Sequence, residues 1–136
     1  VEVDGAVDAG TPSMNILDLR KKTSVMNYND IDEYQQETLR TAGNPGPERL
    51  TMTALGLTGE AGEFADIIKK HKFHDHILDK DKALKELGDV QWYLAVAAHE
   101  LGFKMSELIE QNVLKLRARY PQGFDPERSK NRGTDL

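Results

Sequence analysis

The sequence predicts an all-α fold, on three observations. Apolar residues recur at helical spacing through most of the chain after residue 29. Proline and glycine interrupt that pattern at Asn44-Pro45-Gly46-Pro47, at Gly102 and at Pro121, as helix-ending residues do. No stretch alternates apolar and polar residues in the manner of a half-buried strand. Four helices with short connections follow, which is the pattern of a bundle.

Taken in order, residues 1–27 have scattered apolar residues and no sustained period. They read as an N-terminal extension, with the part before Met14 as a cloning remnant, and residues 28–136 form the domain. The first helix covers 30–42, with Ile31, Tyr34, Thr38 or Leu39, and Ala42 along one face. The second runs from about 47, where Pro47 suits a first turn, to about 70. Leu50, Ala54, Leu57, Ala61, Phe64, Ala65 and Ile68 mark its buried stripe, and Gly56 with Gly59 marks a place for a kink. After the polar stretch HKFHDHILDKD, Asp79 or Asp81 caps a third helix over 82–101. Its LGDVQWYLAVAA segment is apolar at nearly every angle, so this helix is expected to be buried on most sides. Ser106 is the candidate cap of a fourth helix carrying Leu108, Ile109, Val113, Leu116 and Tyr120, closed by Pro121.

A chain of 136 residues, 38% apolar and 30% charged, makes one globular domain with a real core. It has no apolar run near the roughly 20 residues that span a bilayer and no leader pattern, so a soluble, cytoplasmic protein without a membrane partner is expected. The absence of cysteine excludes disulfides, zinc–thiolate sites and thiol chemistry. A net charge of −5 argues against stable nucleic-acid binding. Residues 113–136 carry +3, which leaves −8 for residues 1–112. The basic end is either an anion holder complementing an acidic middle or a solvated tail.

The acidic middle contains two short motifs of one design, Glu60-Ala61-Gly62-Glu63 and Glu86-Leu87-Gly88-Asp89. Residues three apart share a side of a helix, so an antiparallel pair of helices sets the two motifs face to face. Glycine within a helix costs about 1 kcal/mol relative to alanine, and Gly62 and Gly88 at matching places suggest close helix approach. Two like charges about 5 Å apart repel by roughly 3 kcal/mol even at an effective dielectric near 20. Four carboxylates therefore need protons or cations, and oxygen-only ligands select Mg²⁺ or Mn²⁺. The plainer reading is ordinary solvated charges, against which Asp89 stands as the lone charge in an apolar segment. Carboxylate-held Mg²⁺ points to phosphate chemistry. Lys115 and Arg119, at i and i+4, can hold phosphate oxygens or merely complement a helix dipole.

Other features are less specific. No GxxxxGK[ST] loop is present, so this is not a P-loop enzyme. Neither Glu60 nor Glu86 has the histidine three residues on that a di-iron bundle uses. His71, His74 and His76 are metal ligands or simply polar loop residues. Trp92 and Tyr93 are core residues, or Tyr93, four after Asp89, reaches a substrate. Gln35 and Gln36 either read a base or face solvent.

The E-x-x-E motif, 22 intervening residues, then E-x-x-D, together with LTGEAGEFADIIKK, FHDH, ELGDVQWYLA and KLRARYPQGF, resembles the MazG-like all-α nucleoside triphosphate pyrophosphohydrolases over about residues 30–132. The resemblance implies hydrolysis of a nucleoside triphosphate, often a deoxy one, between its α and β phosphates. It implies Glu60, Glu63, Glu86 and Asp89 as Mg²⁺ ligands and as the catalytic acids, with Glu60 orienting or deprotonating the attacking water. Tyr93, Asn112, Lys115 and Arg119 are implied to contact phosphate or sugar, and Gln35 to face the base. It further implies a dimer or tetramer with sites near subunit interfaces, so that dimerisation completes the four-helix bundle; clearing of noncanonical nucleotides is a separate hypothesis about its role, which the resemblance does not itself imply. A metal-stabilised helical interaction module and a phosphatase using the same acids are the competing readings.

Overall fold

The computed structural model describes residues 30–131. Among them the chain is helical without a strand, in five helices: α1 (Ile31–Leu39), α2 (Arg49–Phe73), α3 (Lys80–Glu100), α4 (Met105–Arg119) and the short α5 (Pro126–Lys130). The all-α expectation holds, with α5 an addition to it. The expectation for residues 1–27 lies outside the described residues.

Carboxylate caps start three of the helices, each satisfying amide groups that have no partner within the helix. Asp30 Oδ1 accepts from the Asp32 amide at 2.8 Å, Asp79 Oδ1 from Lys82 at 2.9 Å and Asp125 Oδ1 from Glu127 at 2.9 Å. At α4 the expected Ser106 cap is displaced. The N-cap is Lys104, whose amide donates to Glu107 Oε2 at 2.7 Å. Ser106 instead donates its amide and hydroxyl to the carboxylate of Asp32 on α1. The α3 end is a Schellman turn: Gly102 at φ 82°, with Phe103 donating to Ala98 and Gly102 to His99, both at 2.9 Å.

α2 and α3 form an antiparallel hairpin, the largest contact in the molecule. α2 runs as one helix through Gly56 and Gly59. Its buried positions are Thr53 and Ile67, whereas Leu50 and Ile68 are 39% and 40% exposed and Ala54, Ala61 and Ala65 are also exposed. The packed seam thus lies one residue, about 100° of helix rotation, before the predicted stripe. Along it, Arg49 meets Glu100, with Arg49 Nε donating to Glu100 Oε1 at 2.7 Å. Gly56 meets Tyr93, and Glu60 meets Glu86 and Asp89.

α1 and α4 pack against the second half of α3 around Ala95, Ala98 and Met105, with Ile31, Tyr34, Leu94 and Leu108 against them. Gln35 ties the three helices together. Its Nε2 donates to the carbonyls of Ala95 (3.1 Å) and Phe103 (3.0 Å), and its Oε1 accepts from the Met105 amide (3.2 Å). Beyond Leu108, α4 leaves the body of the chain: residues 109–118 are all exposed, Ile109, Val113, Leu114 and Leu116 among them. Leu84 and Leu87 on α3 and Leu101 at its C-cap are exposed as well, so α3 is buried on fewer sides than its composition predicts.

Candidate active site

Midway along the hairpin, Glu60 of α2 and Glu86 and Asp89 of α3 each present a carboxylate oxygen within 4.8 Å of the other two. This is the one group of three or more such ligands among the described residues. Local sequence places them there: Glu86 and Asp89, three apart, share one side of α3, and the seam turns Glu60 toward them. Glu86 is buried at 9% exposure, Glu60 is half-buried and Asp89 is open to solvent. The arrangement has a packed inner wall and an accessible mouth.

Burial, reinforced by the charges of Asp89, Glu63 and Glu86, raises the Glu60 carboxyl above its ordinary pKa. A proton or a cation is therefore favoured at the cluster. Three hard oxygen donors with one solvent-facing side match the ligands of Mg²⁺ or Mn²⁺, which keep positions for water and phosphate. Glu63 lies outside the trio and is exposed; it acts on Glu60 through charge.

The glycines placed for close helix approach are not the ones that make it. An added Cβ at Gly62 or Gly88 would meet nothing within 4 Å, whereas one at Gly56 would collide with the Tyr93 ring. The Tyr93 ring thus lies close against α2 at Gly56, one turn from the acids. Trp92 packs edge-on to it, at 4.9 Å between centroids and an 88° interplanar angle, and donates from Nε1 to Thr41 Oγ1 at 2.9 Å. Periodicity alone could not have picked out Gly56; its contact depends on which face of α2 meets α3.

Asn112, Lys115 and Arg119 line a cleft of about 990 Å³ between α4 and the end of α3, floored by Leu94, Leu101 and Leu108. The three acids are not among its walls, so within one chain the structure does not bring the basic and acidic candidates together. Gln35 departs from its expected place facing a base. It is 1% exposed, and its amide is engaged by three backbone groups, which leaves no donor for a ligand. Of the expected histidine loop, His71 lies in the last turn of α2 and His74 and His76 follow it, all exposed; His71 Nδ1 lies 2.8 Å from the His76 carbonyl, and no metal-ligand group includes these histidines among the described residues.

Comparison with known proteins gives two matches. Residues 48–124, spanning α2 to α4, match the family model described as the MazG nucleotide pyrophosphohydrolase domain. The Gene 37 protein of Mycobacterium phage L5 is 36% identical over 103 residues, covering 68% of this chain and 90% of that protein. No solved structure matches. Among the described residues no helix is long and apolar enough to cross a membrane.

Proposed function

Because the chain belongs to the MazG nucleotide pyrophosphohydrolase family, we propose that it hydrolyses a nucleoside or deoxynucleoside triphosphate between the α and β phosphates, releasing the monophosphate and pyrophosphate. The observation that carries the reading is the carboxylate trio of Glu60, Glu86 and Asp89, with oxygens within 4.8 Å of one another and one side open. These residues would hold Mg²⁺, or Mn²⁺ in its place, with Glu63 beside them as the fourth acid that resemblance implies. A bound divalent cation neutralises charge developing on the phosphates and lowers the pKa of bound water.

The chain's own residues supply the rest. A water oxygen attacks the α phosphorus, the bridging bond from that phosphorus to the β-phosphate oxygen breaks, and pyrophosphate leaves. Glu60 orients this water and takes its proton. Lys115 and Arg119 hold the phosphate oxygens not facing the acids, and Asn112, on the same helix face, contacts phosphate or sugar.

For acids and bases to act on one substrate, a second copy must bring its α4 to the acid face of the first. The exposed apolar residues Ile109, Val113 and Leu116, which share a face of α4, support such a homo-oligomer, since exposed apolar surface of this kind marks association.

The test is to incubate purified protein with each NTP and dNTP, with Mg²⁺ and then with chelator, and to separate the products. Pyrophosphate and monophosphate that form only with the metal are expected, and the fastest nucleotide identifies the substrate class. Release of orthophosphate and diphosphate, or no turnover of any nucleotide, would overturn the proposal.

A further inference from the structure

The gap between the carboxylates of α2 and those of α3 depends on how closely the two helices approach, and one close contact between them lies beside the acids. At Gly56 an added Cβ would lie 2.2 Å from Cε1, 2.3 Å from Cζ and 2.7 Å from Cδ1 of Tyr93, all ring carbons. At Gly59, Gly62 and Gly88 it would meet nothing within 4 Å. Gly56 precedes Glu60 by one turn on α2, and Tyr93 follows Asp89 by one turn on α3. Because the helices are antiparallel, the glycine–ring contact occupies the turn next to the acids.

The ring is also held laterally. Trp92 meets it edge-on, and the indole is fixed in turn by its hydrogen bond to Thr41. A flat side chain wedged between a neighbouring backbone and an anchored indole is a stop of defined thickness, because close-packed interiors pass such displacements on to their neighbours.

We propose that Gly56 and Tyr93 form a spacer that sets the α2–α3 separation, and through it the gap across which Glu60, Glu86 and Asp89 hold one divalent cation. Both are positioning residues, and neither touches the cation. The inference rests on the reading of the trio as a cation site. It assigns Tyr93 a mechanical task carried by its ring carbons, distinct from the phosphate or sugar contact that resemblance suggests for it. Mg²⁺ demands near-ideal octahedral geometry at about 2.0–2.1 Å, so a small widening between helices costs affinity.

Mn²⁺ binding, read by electron paramagnetic resonance without nucleotide, tests this on four proteins: wild type, Gly56→Ala, Tyr93→Phe and the double variant Gly56→Ala with Tyr93→Val. Circular dichroism is recorded for each. Gly56→Ala is expected to weaken Mn²⁺ binding by about tenfold or more, the scale on which supporting residues act on metal affinity. Tyr93→Phe should bind as wild type does, because the contact is made by ring carbons. The double variant, with the collision removed, should recover most of the lost affinity; if Gly56→Ala also loses its fold, recovery of fold and binding in the double variant decides in favour. Wild-type affinity in a folded Gly56→Ala protein, a loss in Tyr93→Phe, or a double variant no better than Gly56→Ala would each overturn the spacer. Failure of the wild type itself to bind Mn²⁺ would bring down the cation site and the spacer with it, and is told apart by that first titration alone.

Discussion

Gln35 illustrates how one side chain can anchor three helices. Its amide satisfies the carbonyls of Ala95 and Phe103 and the amide of Met105 from a position 1% exposed. Gln35→Leu keeps the volume but takes the partner from the Met105 amide and the Phe103 carbonyl, so a loss of about 2 kcal/mol is expected, read as a lower urea midpoint. At the site, the raised Glu60 pKa has a definite sign. A carboxyl raised in the folded state costs stability once pH exceeds that raised value, and costs nothing below the ordinary value of 4.5, where it is protonated folded or unfolded. Without cations, Glu60→Gln should therefore melt higher than wild type at pH 7, and the advantage should vanish as the pH is taken below that range. A chelator-treated melting series checks this. Asp89→Asn, which withdraws one charge from the trio, should lower kcat by about a hundredfold or more, or roughly 2.7 kcal/mol, with helix content unchanged.

At the scale of the elements, the seam between α2 and α3 is clamped at one end by Arg49 and Glu100, whose side chains are 9% and 16% exposed. Arg49→Met leaves Glu100 without its partner and should cost about 2 kcal/mol, measured by thermal melting. The helices themselves were legible in the sequence: Asp79 caps α3, Gly102 ends it and Pro121 follows α4, each by local chemistry that needs no tertiary context. Which face of α2 would be buried was not legible. Periodicity selects the most apolar stripe, here Leu50 to Ile68, but the hairpin packs through Arg49, Thr53, Gly56, Glu60 and Ile67, one residue earlier, where small and charged side chains let the helices meet. The same shift explains the site. The paired acid motifs announced a facing arrangement, and three of the four acids converge. Glu63 falls off the seam, and Gly56 takes the role expected of Gly62 and Gly88. Gln35 was misread because a buried glutamine and a solvated one look alike in a sequence.

For the whole molecule, the exposed half of α4 is the informative feature. Val113 and Leu116 stand 39% and 45% exposed, on the helix that also carries Lys115 and Arg119. If a second copy covers this helix, Leu116→Glu should convert the assembly to monomers by light scattering and reduce turnover at least tenfold, since burying an unpaired charge opposes the contact. The hairpin register has a further consequence, for insertions and deletions. One residue added to α2 between Arg49 and Glu60 rotates one of them by about 100° relative to the other, so ion pair, spacer and acids cannot all remain aligned. The turn after Phe73, before α3 begins at Lys80, contributes nothing to that alignment beyond joining the helices. In a library of single-residue length changes, survivors should therefore gather in this turn and be missing between Arg49 and Glu60 and between Asp89 and Glu100, so that the chain's freedom to vary in length is confined to its corners.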